Sequence, residues 1–221
     1  MKIESLDEAH IHAIRVKRYI KALTIKKMQD TLEILREEWI ALDAGTQSAG
    51  HHFHSFIFST IRNNTPELRT VILRTVDENS SSLYFHTDIR SKKIIDIEKN
   101  NSVSALFYDS ARRIQLRIQG LASVESNNDY TKKVWQSMRD ESKLCYMGPF
   151  APSSAIKSFL PNLPSNPLEK INQEDDKLGY SRFSRVKIVL KTLDWLQLHH
   201  KGHKRLQFKF EDKISSKWIA S

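Results

Sequence analysis

Along the first 45 residues, apolar positions recur at the 3.6-residue period of a helix. Ala13, Val16, Ile20 and Leu23 share one face, and Leu32, Leu35, Trp39 and Leu42 share another. Asp30 followed by Glu33 reads as a capping box, and Gly45 as the stop. Beyond it the period falls to two. Residues 52–58 are apolar and aromatic, 70–74 are β-branched and 83–87 are apolar again, with Asp77, Glu78, Asn79 and Ser80 as turn formers. The run 52–87 therefore predicts a three-stranded meander. Asp88 is placed to cap a short helix that buries Ile94 and Ile97 and ends near Asn100 and Asn101. Val103, Ala105 and Phe107, then Ile114, Leu116 and Ile118, alternate with the residues between them across a tight connection at 109–112. This is the pattern of an antiparallel hairpin with one apolar face, and Gly120 marks a bulge in it.

Residues 127–144 predict a helix with Val134, Trp135 and Met138 inward. Pro149, Pro152, Pro161, Pro164 and Pro167 punctuate the stretch 145–180, which predicts a long connection with at most a short helix around 153–159. Alternation returns at Val186, Ile188 and Leu190, at 193–198, and at Leu206, Phe208 and Phe210. About seven mostly antiparallel strands with interspersed helices describe an α+β protein built on a β-barrel or strongly curled sheet. The division expected is a helical segment, 1–45, and a barrel domain, 46–221.

Charge narrows the partners. The 35 Lys and Arg exceed the 26 Asp and Glu, leaving +9 over 221 residues. Such a balance favours anions, with dense patches at Lys92 and Lys93, at Arg112 and Arg113, and over 201–209. No apolar run is long enough to span a membrane. The start lacks a secretory pattern, and a single cysteine, Cys145, fits a reducing compartment, so the cytoplasm is the expected location. The histidines at 51, 52, 54, 199, 200 and 203 lack cysteine partners, so no metal site is expected. Cys145 reads as a packed thiol, and the absence of a glycine-rich loop argues against Rossmann or P-loop chemistry.

The strongest chemical signal is a set of polar residues on otherwise apolar strands. Arg69 and Arg74 bracket Thr70, Val71, Ile72 and Leu73, Thr87 ends the next strand, and Ser91, Lys92 and Lys93 open the helix after it. A helix N-terminus offers N–H groups and a positive dipole end. Two lysines there are electrostatically unfavourable unless an anion is present, so this turn is a candidate phosphate site. Gln115, beside Arg117 and Gln119, lies on the polar face of its strand, where a solvated surface is the ordinary alternative.

In order and spacing, the segments RTVILR at 69–74, YFHTD at 84–88, SKK at 91–93, IEKNNSVSALF at 97–107 and QLRIQG at 115–120 resemble the pyridoxamine 5'-phosphate oxidase family. The resemblance covers about residues 50–125 and implies an FMN-binding split barrel with peripheral helices, assembled as a homodimer with FMN at the subunit interface. It assigns FMN contacts to Arg69, Thr70, Val71, Ile72, Arg74, His86, Thr87, Lys92, Lys93, Gln115 and Arg205. Thr87, Lys92 and Lys93 would hold the phosphate, and Arg205 or Lys209, with Trp195 or Leu196, would close the site. A small-molecule substrate, able to carry a phosphate, would meet Arg74, Arg139 and Ser142. The chain departs from the family's oxidases at three points. Arg74 stands for a lysine, Trp135 for a substrate-phosphate tyrosine, and Gln207 for the histidine of an Arg-Leu-His signature. These changes fall on the substrate side, so FMN-dependent oxidoreduction of an unassigned substrate is the expectation. A flavin-binding module without turnover, a carrier or sensor, is the alternative, and a basic nucleic-acid-binding barrel a weaker one.

Overall fold

The alternating segments close on themselves. In the computed structural model, which describes residues 4–164 and 170–221 and of residues 4–13 and 22–28 the backbone alone, eight antiparallel strands form one sheet. Strands β1 (Ser55–Arg62), β2 (Thr65–Asp77), β3 (Ser82–Asp88), β4 (Ser102–Asp109), β5 (Ile114–Glu125) and β6 (Phe183–Gln197) follow the order β3-β2-β1-β4-β5-β6, and β3 pairs with β6 to seal a barrel. Strand β6 is long enough to serve two purposes. Its first half pairs with β3, and its second half pairs with β7 (Lys204–Lys209), to which β8 (Ser215–Trp218) is added. The barrel interior is filled by the predicted inward positions, with Phe56 stacked on Phe107 at 4.5 Å and Phe58, Phe85, Leu116, Ile118 and Ile188 essentially without exposure. Gly120 sits at a register shift against β6, where a side chain would collide with the Val189 carbonyl oxygen.

Helix α1 (Glu4–Gln47) runs without a break through Asp30, which therefore starts no helix. Its second half lays Leu35, Trp39 and Leu42 into the barrel's core, while Val16 and Ile20 are exposed and the side chains of Ala13 and Leu23 lie outside the described residues. Gly45 lies inside the last turn, not at a stop. A Cβ there would stand 2.8 Å from the Phe53 carbonyl, so the residue serves a close approach of helix to strand. The buried Glu38 carboxylate accepts from Trp195 Nε1 (3.0 Å) and from both Arg112 terminal nitrogens (3.1 and 2.9 Å), and Arg112 Nε also donates to Asp109 (2.6 Å). One carboxylate thus ties α1 to β6 and to the β4–β5 turn.

Helix α2 (Lys92–Lys99) buries Ile94 and Ile97 as expected, but its N-cap is Ser91. Asp88 is unavailable because its carboxylate is occupied by the Arg90 backbone N–H (2.8 Å) and guanidinium (2.6 Å). The helix expected over 127–144 divides into α3 (Asp129–Ser137) and α4 (Asp140–Lys143), followed by a 3-10 turn at Leu144–Tyr146. No helix forms at 153–159. One forms instead at α5 (Gln173–Arg182), where Asn172 caps the Asp175 N–H (2.8 Å) and Glu174, Asp175 and Asp176 suit the dipole of a first turn. Pro167 lies outside the described residues. Trp135, Tyr146, Met147 and Phe183 form a second, smaller core between these helices and the barrel.

Candidate functional site

The end of β3 and the start of α2 bring three polar side chains together. Lys93 Nζ donates to Thr87 Oγ1 (2.8 Å) and Ser91 Oγ (3.1 Å), and the two hydroxyls are 3.3 Å apart. Ser91 makes no side-chain capping bond, so its hydroxyl faces this group and not the helix. Burial, aided by the Arg69 charge and only partly offset by Asp88 and Asp96, lowers the Lys93 ammonium to about 8. Arg69 therefore stands close enough on β2 for the two cations to repel. Its Nη1 donates to Thr60 Oγ1 (2.8 Å) and the Glu67 carbonyl (2.7 Å), and its guanidinium lies over Phe58. Two converging cations and two hydroxyls at a helix N-terminus form a donor set suited to a phosphate dianion. Lys92 is exposed on the outer side of the same turn.

His86 and Arg74 form a second group. Residue 74 is the extra residue of a bulge, since Leu73 pairs with Phe85 and Thr75 with Tyr84. Arg74 is exposed, and its charge is felt by His86, Cys145 and Tyr146. Burial first, then Arg74 and Arg185, push the His86 imidazole down to about 3, so it is neutral throughout the physiological range. Its ring meets Phe183 edge-on at 4.9 Å. Opposite it, the buried Arg185 lies between the rings of Tyr84 (4.1 Å) and Tyr130 (4.3 Å) and bonds Glu125 (3.1 Å). Thr70 is exposed, and Val71 and Ile72 are half-buried on the same strand.

Other sequence candidates stand elsewhere. Gln115, half-buried on β5, pairs with Leu196 of β6. Arg205 is committed to Asp194 (2.7 and 2.9 Å), whose carboxylate also accepts from Arg117 (2.7 Å). Among the described residues, no hydrogen bond or ion pair joins Gln115 or Arg205 to the Lys93 group. Arg117 and Asp194 instead line an open groove of about 380 Å³ outside the barrel, with Ile57, Leu68, Leu106 and Gln119. Arg139 is exposed at the N-cap of α4, and the Ser142 carbonyl accepts the Cys145 thiol proton (3.3 Å). Trp135 is buried and donates to Asp176 (3.1 Å). Among the described residues no His, Cys, Asp and Glu cluster could hold a metal, and no helix is long and apolar enough to cross a membrane.

The sequence gives no warning of Thr60 and Asp96. Asp96 reads as a solvated position on a short helix, and a lone threonine in a strand carries no signal. Both are buried, and they hold Arg69 from behind.

The class defined by this topology is a split β-barrel, and the donor set at Lys93 suits a phosphate. Residues 36–126 match the family model for the pyridoxamine 5'-phosphate oxidase FMN-binding domain. Pyridoxine/pyridoxamine 5'-phosphate oxidase 2 of Arabidopsis thaliana is 35% identical over 103 residues, which are 43% of this chain and 52% of that protein, so the match spans about half the relative's length. Among solved structures, a pyridoxamine 5'-phosphate oxidase-related FMN-binding protein from Nostoc punctiforme is similar at TM-score 0.64 and 23% identity, covering 84% of this chain and 97% of its own. PhzG from Burkholderia lata 383, crystallised with tetrahydrophenazine-1-carboxylic acid, is similar at TM-score 0.59 and 14% identity, covering 85% and 91%. At these identities the two structures speak for the fold. FMN is the cofactor that this family's domain binds, and the donor set at Lys93 fits its phosphate.

The Lys93 pKa gives the site a pH signature. The free ammonium loses its proton above about 8, whereas a bound dianion would hold it there. Binding would then take up a proton at alkaline pH, and affinity should fall by up to about tenfold per pH unit above 8. FMN titrations at pH 7, 8, 9 and 10, followed by quenching of flavin fluorescence, measure this slope. The variant Lys93→Met should flatten it, and a flat wild-type profile would separate Lys93 from the phosphate.

Proposed function

We propose that this protein is an FMN-dependent oxidoreductase of the oxidase-like type that works as a homodimer. The observation that carries the phosphate assignment is Lys93 held on the Thr87 and Ser91 hydroxyls at a helix start, with the Arg69 charge close enough to act on it. In this reading Lys92 adds charge from the outer side of the turn. The β2 backbone at 70–72, with Arg74 and His86, flanks the ring system. Bound FMN supplies two-electron chemistry, and the chain's own residues supply phosphate charge, orientation and a dry wall. His86, neutral and packed on Phe183, can donate or accept one hydrogen bond without adding charge.

Gln115 and Arg205, separate from the Lys93 group within one chain, are assigned to the far wall of a cleft completed by a second copy. The groove bordered by Ile57, Leu68 and Leu106 supports this, because half-exposed apolar residues on the outside of a barrel suit a subunit contact. Arg74 at its bulge, with Arg139 and Ser142, is assigned to a small anionic substrate. A carrier or sensor is the second reading, favoured by one observation. Trp135 is withdrawn into a core and bonded to Asp176, so the family's substrate-phosphate hydroxyl has no replacement at that position.

Anaerobic mixing of the FMN-loaded protein with pyridoxamine 5'-phosphate, and separately with reduced nicotinamides, distinguishes the two. Bleaching of the flavin's blue absorption, restored by oxygen, is expected of an oxidoreductase. A loaded protein that no donor reduces is a carrier or sensor.

A further inference from the structure

Behind the phosphate group lies a largely buried chain of polar contacts that reaches the site through Arg69. Asp96, on α2 one turn after Lys93, is 3% exposed. It accepts from Arg62 Nε and Nη2, each at 2.9 Å, and from the Thr60 hydroxyl at 2.8 Å. Burial opposes its charge, but the bonds from Arg62 and Thr60 outweigh it and hold the carboxyl below the usual range. Thr60 has no exposure at all, and its oxygen accepts from Arg69 Nη1 at 2.8 Å. Each member of this chain has one role open to it. The carboxylate can only accept, so the hydroxyl proton points to Asp96 and the hydroxyl's lone pair to Arg69. The guanidinium is thereby held by Thr60 and the Glu67 carbonyl on one nitrogen, with Asp96 Oδ2 3.8 Å from the other.

We infer that Thr60 and Asp96 are positioning residues that let this protein distinguish a phosphorylated flavin from a bare one. The inference rests on the assignment of Arg69 and Lys93 to the FMN phosphate. The charges argue for it. Arg62 makes a two-point contact with Asp96 and also pairs with Glu67 (3.4 Å), so the three cations Arg62, Arg69 and Lys93 outnumber the two carboxylates Asp96 and Glu67 and leave a positive excess opposite a dianion. The connectivity argues for it as well. Asp96 joins α2, which carries Lys93, to β1, which carries Thr60, and through Thr60 to Arg69 on β2. The two cations are therefore fixed relative to each other before any anion arrives, the condition under which a charged contact contributes most to binding.

The test compares affinities for FMN and riboflavin, which differ only in the phosphate, by quenching of flavin fluorescence on the full chain. The wild type should prefer FMN. Thr60→Val keeps the shape and removes the hydroxyl. It should lower the FMN-to-riboflavin preference by about tenfold or more while riboflavin affinity stays within about twofold, and Thr60→Ser should restore the preference. An unchanged preference in Thr60→Val, or an equal loss of both flavins, would overturn the positioning role. A wild type that binds the two flavins equally would instead overturn the phosphate assignment itself. Should Thr60→Val fail to fold by circular dichroism, Asp96→Asn read on the same ratio decides.

Discussion

Replacing Lys93 with alanine should cost this protein its retained flavin. The substitution removes the one ammonium that meets both the Thr87 and Ser91 hydroxyls, and it leaves Arg69 alone opposite the phosphate. A charge-assisted hydrogen bond in a partly buried site contributes about 1.5–3 kcal/mol, and the lost Coulomb attraction adds to it, so FMN affinity should fall by about a hundredfold or more. The neighbouring Lys92 points outward, and Lys92→Ala should weaken binding only severalfold, mostly at low salt. The visible spectrum after FMN loading and desalting reads the difference directly. Lys92→Ala should remain yellow and Lys93→Ala should emerge colourless. Full retention by Lys93→Ala would place the phosphate elsewhere.

A second substitution should act on stability with no change to the flavin contacts. Glu38→Ala removes the carboxylate that accepts from Trp195 and Arg112, strands a buried indole N–H and leaves a half-buried guanidinium with Asp109 alone. The bonds to Asp109 and Glu38 hold Arg112 above its ordinary range despite burial, a sign that the pair acts as one unit. Breaking a buried pair from one side costs about 3–5 kcal/mol, and partial exposure of Arg112 puts the expectation at the lower end. Urea denaturation should show the midpoint falling with an unchanged slope. The exposed neighbour, Glu37→Ala, should stay within about 0.5 kcal/mol of wild type. A Glu38→Ala midpoint equal to that of Glu37→Ala would mean that α1 is held by Leu35, Trp39 and Leu42 alone.

The alternation at 103–118 made the barrel wall legible because period two has a single physical reading when one face is buried. The proposed phosphate turn drew notice for a similar reason, since paired lysines in a first turn are unfavourable without an anion. Other features depend on distant chain. The bulge at Arg74 exists only against β3, and Asp96 is buried only because α2 lies across β1. Helix α5 carries so few apolar residues that its capping asparagine and acidic first turn were the only signs, and both also suit a loop. The stripe at Leu35, Trp39 and Leu42 was visible, but what it faces was not. Arg205 shows the reverse limit, since the family resemblance assigned it or Lys209 to closing the site and could not foresee its commitment to Asp194.

Closure of the barrel has a kinetic consequence. The seam joins Phe85 to Val186, partners about a hundred residues apart in the chain, and nothing nearer can substitute for it. Loop closure over such a distance is entropically costly, so the β3–β6 seam is expected to form after the local pairings among β1 to β5. Until β6 arrives, β3 and β5 present unpaired backbone, the arrangement through which copies of a chain aggregate. The segment that carries the family's sequence signature, 36–126, ends before β6 begins. It holds most of the proposed flavin contacts but not the strand that makes them a closed body. The unit recognised by similarity is thus shorter than the unit that folds.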